Sequence, residues 1–140
     1  MKNRVTSWPV VLVTIAAGGK VYAGGILSVV AVTAKKLKAL MESDDAEGTR
    51  SFAAQSVSRF DEMIASFEGA WIDQFQLCEL RKQLRRIVMA PDRTTQREAS
   101  SHFTEVGRAF TERVLGPVPK GSDGVRVQMF SELLQSFEQH

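Results

Sequence analysis

Apolar side chains follow two different patterns along the 140-residue chain. Residues 8–34, WPVVLVTIAAGGKVYAGGILSVVAVTA, form a nearly uninterrupted apolar run with one charge, Lys20. Beyond it, apolar positions recur every three or four residues, the period of helices that bury one face.

Within the first run, Val10, Val11, Val13, Thr14 and Ile15 are β-branched or nearly continuous with β-branched neighbours, a composition that favours a pleated strand. Gly18-Gly19 supplies the positive-φ residues of a tight turn, and a second run from Lys20 to Val32 follows it. Val29, Val30 and Val32 continue the strand character, and Gly24-Gly25 reads as a bulge or bend. An apolar β-hairpin over residues 8–33 is therefore expected. The alternative is a membrane span within 8–34, which has the required length of about twenty apolar residues. That span would place Lys20 near mid-bilayer at a cost of about 2.5–3.5 kcal/mol, and its four glycines weaken a helix further.

The rest of the chain reads as amphipathic helix. Thr33 is a candidate N-cap for a short stripe of Leu37, Leu40 and Met41, followed by an acidic loop over 42–48. Ala53, Val57, Phe60, Ile64, Phe67 and Trp71 keep one face at spacings 4, 3, 4, 3, 4. Gly69 either interrupts that helix or ends it, which leaves Trp71 on its face or at the start of the next. The next packs through Trp71, Phe75 and Cys78 and through Leu77, Leu80, Leu84 and Ile87 until Pro91 stops it. Asp92 or Thr94 caps a further helix with Ala99, Phe103, Val106, Phe110 and Val114 on one face, closed by Gly116 and Pro117. A last helix carries Val127, Phe130, Leu134 and Phe137 after a loop over 117–123. The expected fold is mainly α (α+β), a single domain over 1–140 in which the hairpin 8–33 precedes a four- to five-helix bundle over 34–140.

Composition changes this picture little. With 44% hydrophobic and 24% charged residues, the chain has globular proportions, and a net charge of +2 is too small to imply a nucleic acid by itself. Cys78 is the lone cysteine, so an intrachain disulfide and a thiolate metal cluster are excluded, and a reducing, cytoplasmic setting is expected. Two histidines, His102 and His140, do not suffice for a histidine zinc site.

Gly18-Gly19-Lys20 departs from a phosphate-binding loop, because Thr14 stands where the first glycine belongs and Val21 where a magnesium-binding hydroxyl belongs. No nucleophile, base and orienting acid can be grouped, so no enzyme activity, cofactor or small-molecule substrate is expected.

The strongest charge feature lies between residues 79 and 97. Arg81, Lys82, Arg85, Arg86, Arg93 and Arg97 are accompanied there by only Glu79 and Asp92, and the first four share a side of a helix. This makes nucleic-acid binding through 81–97 the second functional expectation, with a solvated helix face as the plainer account of the same residues. The first expectation is a non-enzymatic structural or adaptor subunit of a larger protein assembly. It rests on aromatic residues too numerous for a small bundle to bury and on an apolar hairpin that needs cover. Val11, Val13, Ile15, Tyr22, Ile26 and Trp71 are the interface residues this reading selects, and a homo-oligomer or another protein is the partner. A phage or mobile-element setting is one home for such a subunit, although no residue points to it. A membrane-anchored accessory subunit is the third expectation.

Overall fold

The computed structural model describes residues 21–116 and 131–138, with side chains from residue 25 onward. Four helices account for most of it: α1 (Val21–Ser43), α2 (Ala46–Ser66), α3 (Trp71–Met89) and α4 (Arg93–Leu115). Residues 131–135 add a short helical turn.

The expected hairpin is corrected. Its second arm belongs to α1, and no β-strand occurs among the described residues. The first arm and the Gly18-Gly19 turn lie outside those residues. Tertiary burial explains the difference. Leu27, Val30, Ala34 and Leu37, at spacings 3, 4, 3, are all fully buried, so one face of α1 fills the core and overrides the β preference of its valines. Thr33 is correspondingly no N-cap. It sits inside α1, where its hydroxyl donates to the Val29 carbonyl at 2.7 Å. No helix among the described residues is long and apolar enough to cross a membrane.

The acidic loop is also shorter than the sequence suggests. α1 ends at Asp44, whose φ of 58° is a left-handed conformation that aspartate tolerates better than most residues. Asp45 then caps α2 by accepting the Gly48 N–H at 2.8 Å. Glu47 and Gly48 thus lie in the first turn of α2. α2 stops at Phe67, and Trp71 opens α3. Pro91 follows α3, and Asp92 caps α4 through the Thr95 N–H at 2.8 Å. Gly116, with φ of 67°, donates its N–H to the Glu112 carbonyl and closes α4.

Each helix packs on two neighbours, α1 on α2 and α4, and α3 on α2 and α4. Neighbours run antiparallel. Arg50 near the start of α2 reaches the Ala90 carbonyl beyond the end of α3, and Arg113 near the end of α4 pairs with Asp73 near the start of α3. Arg93 at the start of α4 likewise reaches the Leu40 carbonyl near the end of α1. The arrangement is an up-and-down four-helix bundle. Phe60 of α2 and Phe103 of α4 meet edge to face across its interior, with ring centroids 5.9 Å apart.

Residues 131–138 complete the core with Leu133 and Phe137, both buried. A Cβ on Gly107 of α4 would come within 2.7 Å of the Phe137 ring and 3.1 Å of Val30 of α1. The absent side chain is what lets both residues close on α4.

Candidate interaction surface

α3 carries an apolar stripe and a second, mixed line of side chains. Leu77, Leu80, Leu84 and Ile87 are fully buried and form its contribution to the core. About half a turn away, Trp71, Phe75, Cys78, Lys82, Arg85 and Met89 follow one another at spacings 4, 3, 4, 3, 4, a pattern that keeps a single line of side chains along a helix. This second stripe faces outward. Trp71 is 75%, Phe75 54% and Met89 80% exposed. Val32 is the one other large hydrophobic residue exposed among the described residues, so three of four fall on this line.

Cys78 sits half-buried in the stripe with its sulfur 4.0 Å from Arg81, in place of the enclosed setting its leucine neighbours suggest. Ala70, at the α3 N-cap, offers no side-chain acceptor, and Asp73 in the first turn is the acid that meets the helix dipole there.

Polar contacts border the stripe on both sides. Toward α2, Asp61 accepts Arg81 at 2.8 Å and lies 3.7 Å from Arg85. Toward α4, Arg86 contacts the His102 Nδ1 at 3.0 Å, and within α3 it donates to the Gln83 Oε1 at 2.7 Å.

The structure separates an inward-facing Arg93 from the more exposed Arg85 and Arg97 among the six basic residues of 81–97. Arg93 turns inward, donating to Thr49 Oγ1 at 3.0 Å, Gln96 Oε1 at 2.9 Å and the Leu40 carbonyl at 2.8 Å. Its guanidinium ties the end of α1 to the starts of α2 and α4. Arg97 extends toward Asp44 at 3.9 Å on that same end of the bundle. Arg81 is engaged by Asp61, which leaves Lys82 and Arg85 on the outer line of α3 and Arg86 beside it. Of the interface residues selected from the sequence, Trp71 is on the stripe, whereas Ile26 lies in the core at 8% exposure. Val11, Val13 and Ile15 fall outside the described residues, as does the side chain of Tyr22.

Phe75 and Met89 are exposed apolar residues of this line that the sequence did not single out. The signal was present as a second 3–4 series on α3, out of phase with its leucines. A cleft of about 240 Å³ between α1, α4 and the 131–138 segment is lined by residues including Lys38, Arg97, Ser100 and Thr104. Glu42 and Glu138 also line it, so the cleft brings carboxylates, cations and hydroxyls together. No group of three or more histidine, cysteine, aspartate or glutamate side chains suited to a metal occurs among the described residues. Comparison with protein-family models, curated proteins and solved structures finds no match to the chain.

Proposed function

We propose that the chain is a non-enzymatic interaction protein, a small subunit that uses its helical bundle to present the outer face of α3 to another protein. The observation that carries this reading is the exposed Trp71, Phe75 and Met89 on one line, opposite the leucines that hold α3 in the core. Apolar surface left in water forgoes about 25 cal/mol per Å². A concentrated line of it is best explained by a partner that covers it.

Nucleic-acid binding through residues 81–97 is less well supported, because Arg81 and Arg93 are held by internal partners. Phosphates would meet Lys82, Arg85 and Arg86 beside aromatic rings that they do not cover.

A photo-crosslinking amino acid at position 75 of the full chain, expressed in its native cell, tests the reading. The expected product is a protein adduct, absent when the same group stands at exposed Gln55 of α2. Nucleic-acid adducts at position 75, weakening steeply with salt, would replace this reading with the alternative. No adduct of either kind would remove both.

A further inference from the structure

We propose that the cleft between α1, α4 and the 131–138 segment binds a small zwitterion, an α-amino acid with a short aliphatic side chain. The assignment stands on a buried hydroxyl without a partner, on charges of both signs at the same walls, and on the size of the space.

The hydroxyl belongs to Ser100. This residue is 6% exposed and lines the cleft, yet its Oγ makes no hydrogen bond among the described residues. Its neighbour Thr104 is already satisfied, because the Thr104 hydroxyl donates to the Ser100 carbonyl at 3.1 Å. Buried hydroxyls are normally bonded, so one that reaches a cleft unpartnered is a place for a ligand atom.

Charge comes from both walls. Lys38 and Glu42 stand one turn apart on α1, and neither forms an ion pair among the described residues. Arg97 enters from α4, with Asp44 a long 3.9 Å away and both side chains exposed. Glu138 enters from the 131–138 segment. A simple anion gains little here, since Glu42 and Glu138 oppose what Lys38 and Arg97 attract. A molecule that carries both charges meets a complement for each. Its carboxylate is received by Lys38 and the Ser100 hydroxyl, and its ammonium by Glu42.

The remaining wall sets the size and the side chain. Fully buried Ala34 and half-buried Met41 supply apolar surface. The cleft volume of about 240 Å³ corresponds to about eight waters at about 30 Å³ each. That is the heavy-atom count of valine, and it falls below the roughly 300–1,000 Å³ of sites for drug-sized ligands.

Titration of the isotope-labelled full chain with L-valine, followed through backbone amide chemical shifts, tests the proposal. The expected result is a saturable shift confined to residues 34–42, 97–104 and 131–138. Isovalerate, which lacks the ammonium, and isobutylamine, which lacks the carboxylate, should each bind at least about tenfold more weakly. Ser100→Ala should weaken valine binding by about tenfold and leave the thermal midpoint unchanged, because its hydroxyl has no internal bond to lose. Glu42→Gln should weaken valine binding and narrow its advantage over isovalerate. The absence of a saturable shift, isovalerate binding as tightly as valine, or a Ser100→Ala variant that loses stability but not affinity would overturn the proposal.

Discussion

Asp92 fixes a boundary by itself. Its carboxylate accepts the Thr95 backbone N–H and a hydrogen bond from the Thr95 side chain, and both hold its pKa below the ordinary value of 3.8. Because the folded pKa is depressed, this stabilisation is fully present above the ordinary carboxylate value and is lost as pH falls through the lower, folded one. Urea titrations of wild type and Asp92→Asn should therefore differ in acid sensitivity. The asparagine variant keeps an N-cap acceptor and should lose less stability on acidification below pH 3.8, and parallel acid profiles would show that the cap carries no such linkage. Gly107 acts at the same scale through an absence: its missing Cβ sets how closely Phe137 and Val30 approach α4.

At the scale of the helix, Arg93 is the residue on which three elements converge. Its donors serve Leu40 of α1, Thr49 of α2 and Gln96 of α4, with an 18% exposed side chain. Lysine keeps the charge but lacks the forked donors, so Arg93→Lys should cost about 1.5–3 kcal/mol in chemical denaturation. A change within about 0.5 kcal/mol would show the network to be dispensable.

Elements differed in how legible they were. α3 and α4 could be read because their apolar spacings, the stop at Pro91 and the cap at Asp92 all agree. α1 could not, because valines and paired glycines signal strand locally, while the Leu27, Val30, Ala34, Leu37 series that makes it a helix is embedded in residues that are almost all apolar. Periodicity cannot be seen where there is no polar contrast. The outer line of α3 can be read from the sequence as a second 3–4 series, but its exposure cannot, because exposure is a property of the packed bundle. The inward turn of Arg93 was equally out of reach, since it depends on carbonyls over 50 residues away in the chain.

At the scale of the molecule, the 131–138 segment is part of the core. Phe137 is 1% exposed and packs where α1 approaches α4. Phe137→Ala should destabilise the fold by about 3–5 kcal/mol, with faster amide exchange in α1 and α4 than in the α2–α3 pair. Uniform acceleration across all four helices would indicate that the bundle opens only as a whole.

The node at Arg93 also bears on the order of events in folding. All four helices join through short connections, whereas the Arg93 contact with Leu40 spans 53 residues and that with Thr49 spans 44. Loop closure makes such distant contacts slow to gain, so α4 is expected to close on α1 and α2 after the helices adjacent in sequence have paired. A chevron for Arg93→Lys should then show its energy mainly as faster unfolding, with the refolding arm little changed. The guanidinium works as a latch: it governs how long the closed bundle lasts more than how quickly it forms.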